Sequence, residues 1–145
     1  MVRKYEKRDP DHPQKIYMAW YQKSPENKER MHKNSRCWYV KNRAYVILKQ
    51  ALLRTEKKGL PPCTLTEEWI QWQLDIGTCE ISGIPFNTKD SKRTWDSPSL
   101  DRIDSTKGYS PENCRMILWC LNLAFSNWGE ETFKRAVMAW LKTSP

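Results

Sequence analysis

Residues 98–127 change hydrophobic period once, and that change restricts the chain to folds in which a strand feeds a helix. Pro98-Ser99-Leu100-Asp101-Arg102-Ile103-Asp104 alternates apolar and polar residues, the two-residue period of a half-buried strand. Ser105 to Tyr109 reads as a loop containing Gly108. Ser110-Pro111-Glu112 then reads as a helix start: a capping hydroxyl, a proline at the first helical position, an acid in the first turn. Cys114, Leu118, Leu121 and Phe125 recur every three to four residues, so the spacing predicts one amphipathic helix to about Asn127.

The flanking sequence is mostly helical in pattern. Residues 1–15 are polar, hold Pro10 and Pro13, and read as a loose arm. A short helix over 16–22 stops at Ser24-Pro25, and Pro25 suits the first turn of the next helix. From there to Lys58 no Gly or Pro intervenes. Trp38, Tyr45, Leu48 and Leu52 fall at helical spacing, and Val46, Ile47, Ala51 and Leu53 widen the stripe. One long helix, or two broken near Asn34-Ser35, fits this run. Gly59-Leu60-Pro61-Pro62 ends it. Thr66 caps another helix in which Ile70, Leu74 and Trp72 pack inward, and Gly77 closes it. Thr78 to Gly83 reads as a short strand running into a turn, and 87–97 as a polar loop. Gly129-Glu130-Glu131 opens a last helix with Phe133, Val137, Trp140 and Leu141 on one face. The expected class is α+β.

Charge divides the chain. Residues 1–58 hold 16 Lys/Arg against 6 Asp/Glu, whereas residues 59–145 hold 9 against 11. We therefore expect a basic, mainly helical arm over 1–58 and a second domain over 59–145. Aromatics lie among the cations at Trp20-Tyr21-Gln22-Lys23 and Arg36-Cys37-Trp38-Tyr39-Val40-Lys41, a composition suited to nucleic acid as well as to a solvated basic helix. Eight Trp and 39% hydrophobic residues exclude a disordered chain. No run approaches the ~18 apolar residues that a membrane span needs, and the N-terminus has no signal-peptide pattern. Five cysteines without a secretory signal point to reduced thiols in a cytoplasmic setting.

The chemistry concentrates in 99–122. If the strand carrying Asp101 packs on the following helix, Asp101 and Asn122 converge on one point. A carboxylate plus an amide oxygen is a hard-oxygen pair suited to Mg²⁺, with water and phosphate completing the shell. Arg102 lies beside it and can hold a phosphate oxygen bidentately. The same residues also fit a structural reading, with Asp101 and Asp104 as loop caps, Arg102 as their ion-pair partner and Asn122 as a satisfied buried amide.

Cys79-x-x-Ser82-Gly83, Ser99-Leu100-Asp101-Arg102-Ile103-Asp104, Lys107-Gly108-Tyr109-Ser110-Pro111-Glu112-Asn113 and Asn122 together resemble the ββα-metal (HNH) nucleases. Within these the sequence is similar to the phage and prophage subgroup and to PacI-type restriction endonucleases. With Lys58-Gly59-Leu60-Pro61, Leu65-Thr66, Trp69 and Gly77-Thr78-Cys79, the resemblance covers roughly 58–128. It implies a ββα-metal core between the helical basic N-terminal part and a C-terminal helix. Asp101 and Asn122 match the family's metal-binding pair, for Mg²⁺ or Mn²⁺. Asn113 matches the middle Asn, which braces the hairpin and does no chemistry. The implied activity is metal-dependent hydrolysis of double-stranded DNA inside a bacterial cell, by a monomer or a homodimer. A DNA-binding module that has lost catalysis, or an RNA-cutting nuclease on the same core, are the rival readings.

Two departures from the family pattern matter. Arg102 stands where most members place the histidine that serves as general base, and a guanidinium cannot take a proton. PacI-type enzymes share the Asp-Arg pair and use a tyrosine; the matching residue is Tyr109, as base, as nucleophile, or simply as a ring packed on the turn. Relatives also grip a structural zinc with paired Cys-x-x-Cys knuckles. Here Cys79 keeps one ligand, Ser82 replaces the second, and Leu118 and Leu121 occupy the helical pair, so apolar packing is expected in place of structural zinc. Cys37, Cys63, Cys114 and Cys120 lack the knuckle spacing. The candidate DNA contacts are Lys41, Arg43, Lys49, Arg54, Lys107 and Arg115.

Overall fold

The computed structural model describes residues 17–19, 21, 23–126 and 128–143. The expected loose arm over 1–15 lies outside them, as do Trp20 and Gln22 of the first aromatic cluster. The chain forms two compact units, 1–38 and 39–145. Residues 17–19, 21 and 23 are helical, within or beside the short helix expected over 16–22, and α1 spans Pro25–Lys41, beginning at the proline as the sequence predicts and burying none of its residues. In the first unit Tyr21 lies 5.9 Å from Tyr17 and carries Arg30 over its ring at 5.5 Å.

The second unit begins earlier than the boundary expected at 58/59, because α2 (Arg43–Lys58) belongs to its core. The helical run breaks at Asn42 rather than near Asn34-Ser35, where Arg43 turns inward to bind backbone carbonyls of a distant loop. Ala44 and Ala51 are buried, and Ile47 and Leu48 pack beside them. These positions share one helix face. Leu52 and Leu53 stay about half exposed. Against this face packs α3 (Glu67–Ile76), which buries Ile70 and Leu74. The Thr66 hydroxyl accepts from the Trp69 N–H at 3.2 Å, and Gly77 ends the helix at φ +76. Trp72, two residues from Ile70, faces solvent instead of packing inward.

Residues 78–86 form a knuckle, not the expected strand. Thr78 bridges Pro85, the Cys79 N–H donates to Ile84 O at 2.9 Å, and the Gly83 N–H donates to Cys79 O at 2.8 Å. Gly83 takes φ +68 to close the turn.

Then β1 (Pro98–Arg102) pairs antiparallel with β2 (Cys114–Leu118), with Leu100 opposite Met116 and Asp101 opposite Arg115. The helix expected from Pro111 is therefore a turn and a strand, and only α4 (Trp119–Phe125) is helical. The Asn113 N–H donates to Ser110 O, so Ser110-Pro111 opens a turn. β2 is covered on both faces, Met116, Ile117 and Leu118 all being buried, so it shows no alternation. The three-to-four spacing of Cys114, Leu118, Leu121 and Phe125 reflects two elements meeting, not one helix.

Two apolar clusters result. One joins Ala44, Ala51, Ile70, Leu74, Leu100, Tyr109 and Met116; the other joins Cys79, Ile117, Leu118 and Phe125, with Leu121 and Phe133 packed against it. The latter places Cys79, Leu118 and Leu121 together. Finally α5 (Gly129–Thr143) docks Phe133 on Phe125, ring centroids 5.5 Å apart, while Trp140 and Leu141 of the same stripe stay exposed.

Candidate functional site

The site candidates lie on one hairpin and the short helix after it. Residues 104–108 connect inside that hairpin, and one amide holds them. Asn113 Oδ1 accepts from the Asp104 N–H at 3.0 Å, and Nδ2 donates to Asp104 O at 3.0 Å and to Gly108 O at 2.9 Å. These three bonds tie both ends of the 104–108 connection to one side chain. Asp104 adds an inner turn, accepting from the Thr106 N–H and hydroxyl; these bonds hold its carboxyl below the usual range. Gly108 is required by contact: a Cβ there would sit 2.8 Å from Pro61 O. Asn113→Ala strips three backbone groups of their partners. It is expected to cost about 2–3 kcal/mol, read as a lower melting temperature.

Asp101 does not stand alone. Arg115, its cross-strand partner, donates from Nε to Asp101 Oδ2 at 2.9 Å and from Nη1 to Glu130 Oε2 at 2.8 Å; Glu130 also binds Lys134 at 2.6 Å. Burial works against the Arg115 charge, but Glu130 and Asp101 outweigh it and raise its pKa. Lys134 and Arg115 hold the Glu130 carboxyl below the usual range. The Arg115 pair uses Oδ2 and leaves the other Asp101 oxygen, Oδ1. Asn122 on α4 reaches back over β1: Nδ2 donates to Ser99 Oγ at 2.9 Å and Leu100 O at 3.0 Å. Both bonds use the amide nitrogen and leave the amide oxygen, Oδ1.

Arg102 donates to Lys107 O at 2.7 Å and lies over the Tyr109 ring at 5.0 Å. Tyr109 itself is 4% exposed and belongs to the first apolar cluster. A general base must come within about 2.6–3.2 Å of the proton that it takes. The buried ring fits the packing role left open in the sequence and not the role of base or nucleophile. His32, the only histidine among the described residues, lies exposed on α1. We therefore expect Tyr109→Phe to leave any cleavage rate within about threefold of wild type in a nicking assay, against the ~10²–10⁴-fold contribution of a general base.

The six candidate DNA contacts divide. Lys41, Lys49, Arg54 and Lys107 are exposed, Lys49 over Tyr45 and Lys107 3.5 Å from Asp104. Arg43 and Arg115 are structural. Arg43 is buried, donates to Thr88 O at 3.2 Å and Asp90 O at 2.6 Å, and lies 5.3 Å from the Tyr39 ring. Burial lowers its pKa against the opposing pull of Tyr39 and Asp90. The sequence carries no sign of this role, since its partners are carbonyls more than forty residues away.

Beside the Asp101 corner a cleft of about 210 Å³ separates α2 from the 91–93 loop, with Ser99, Leu100 and Asn122 on its far wall. Lys92 and Arg93 line it and escaped the sequence reading, because the polar loop 87–97 offers no periodicity. Among the described residues no group of three or more His, Cys, Asp or Glu is placed to hold a metal. Burial also pushes the Cys114 thiol up to about 11. No helix among the described residues is long and apolar enough to cross a membrane. No protein family, curated protein or solved structure matches the chain.

Proposed function

We propose that the chain is a divalent-metal-dependent endonuclease of the ββα-metal (HNH) type acting on double-stranded DNA. The observation that carries the reading is Asn122 of α4 bonded to Ser99 and Leu100 of β1, the strand that also carries Asp101, on a hairpin closed by Asn113. One carboxylate and one amide make a sparse donor set. That set matches Mg²⁺ or Mn²⁺, which keeps its waters and completes its shell with substrate phosphate. Asp101 Oδ1 and Asn122 Oδ1 would hold the ion. When bound, it would supply Lewis-acid stabilisation of the scissile phosphate and an acidified water.

The residues have separable tasks in this reading. Arg115 fixes the Asp101 carboxylate from one side and is itself fixed by Glu130, so the carboxylate stays oriented. Ser99 and the Leu100 carbonyl fix the Asn122 amide so that its oxygen, not its nitrogen, remains to coordinate. Arg102 presents a permanent cation beside Asp101 for a phosphate oxygen.

A second reading has an observation in its favour. Arg115 already neutralises Asp101 and Tyr109 is buried, as a DNA-binding module without catalysis would allow. Supercoiled plasmid with Mg²⁺ or Mn²⁺, alongside an RNA substrate, decides between them. Relaxed circles are expected only with metal and only from DNA. Intact plasmid with retarded migration would establish the binding module, and cleavage confined to RNA would move the substrate class.

A further inference from the structure

The cleft beside the Asp101 corner is lined by cations on two walls. Its α2 wall carries Arg43, Ile47, Gln50 and Arg54, at spacings of four, three and four residues, so they form one stripe. Its opposite wall carries Lys92 and Arg93. Among the described residues no Asp or Glu lines it. The acids of the neighbouring loop are bound elsewhere: Asp90 accepts from Asn87 at 3.0 Å and Asp96 from the Thr94 hydroxyl at 2.6 Å. Arg54 and Lys92 are exposed and make no ion pair among the described residues, and Arg93 lies over the Trp119 ring at 5.7 Å. Three cations without a counter-charge, converging on a space of about 210 Å³, repel one another unless an anion enters. Buried Arg43 adds a donor, Nε, that has no partner among the described residues.

We propose that this cleft is a phosphate subsite for a nucleic-acid backbone, contacted by Arg54, Lys92 and Arg93, with Arg43 as the positioning residue that pins the 88–90 loop. The volume is below the roughly 300–1,000 Å³ of sites that enclose a whole small ligand. It suits one unit of an extended polyanion passing through. The far wall holds Asn122, a ligand in the proposed metal site, so the cleft adjoins that site. The proposal rests on the nuclease reading only for which polyanion comes.

Binding measured in EDTA separates the two. Fluorescence anisotropy of a labelled DNA duplex, titrated with full-length protein over a range of salt, needs no metal and no turnover. The Lys92→Gln/Arg93→Gln pair and Arg54→Gln are expected to flatten the slope of log K against log salt by about 0.9 for each phosphate that is no longer neutralised. Arg135→Gln/Lys142→Gln, which removes the same charge from exposed positions on α5, is expected to leave the slope unchanged. Melting curves for each variant confirm the fold, and these side chains are exposed enough to change without disturbing the core. A cleft pair that keeps the wild-type slope overturns the proposal. So does a control pair that flattens the slope equally, since charge and not the cleft would then be responsible. Neither result touches the nicking assay, and a protein that never nicks leaves the salt slopes readable.

Discussion

Asp101→Asn is expected to lower plasmid nicking by about 10²–10³-fold, the scale of removing one group that stabilises charge in a transition state. The substitution is chosen for what it keeps. An amide oxygen still accepts from Arg115 Nε, so the Arg115–Glu130 link and the β1–β2 pairing survive. Only the negative charge goes, and Asp101 is the one carboxylate assigned to the ion in the proposed site. Unchanged melting with diminished nicking places the effect in chemistry. Wild-type nicking by the Asp101→Asn protein would remove Asp101 from the reaction altogether.

Leu118→Ala is expected to destabilise the protein by about 2–5 kcal/mol, the range for truncating a buried leucine. Leu118 is 2% exposed and closes the cluster of Cys79, Ile117 and Phe125. Leu121 only packs against that cluster and is half-buried, so Leu121→Ala is expected to cost less. Urea denaturation of both variants checks the order. The same experiment with a chelator tests the knuckle. If apolar contact replaces zinc there, the wild-type midpoint stays fixed when the chelator is added, and elemental analysis of protein purified without metal finds no zinc. A midpoint that falls with chelation would show that Cys79 ligates after all.

Helix ends were readable because their chemistry is local. Thr66 and Gly77 each act within three residues of themselves, and both stand where the sequence places them. The β1 strand was readable because one face is wetter than the other. The second strand was not, because burial on both faces erases alternation, and the Ser-Pro-Glu of a turn is the same tripeptide that opens helices. Within the site, the three bonds of Asn113 follow from the resemblance alone; nothing in its spacing demands them. The surroundings of Arg43 and Tyr109 were not legible for one reason: they are assembled from afar. Arg43 finds carbonyls 45 and 47 residues later, and Tyr109 is buried partly by the 60–65 segment, where the Thr64 N–H donates to its carbonyl.

A sheet of two strands is all edge, and each rim here is guarded. Along β2, Glu80 guards twice over: its N–H donates to Met116 O, and its carboxylate accepts the Met116 N–H. Along β1, Asn122 occupies the Leu100 carbonyl. Strand addition, the usual way in which exposed hairpins recruit a second copy or begin to aggregate, is therefore blocked at these positions. The amide proposed to ligate a metal would thus serve at the same time as a stopper at the Leu100 position of the β1 rim.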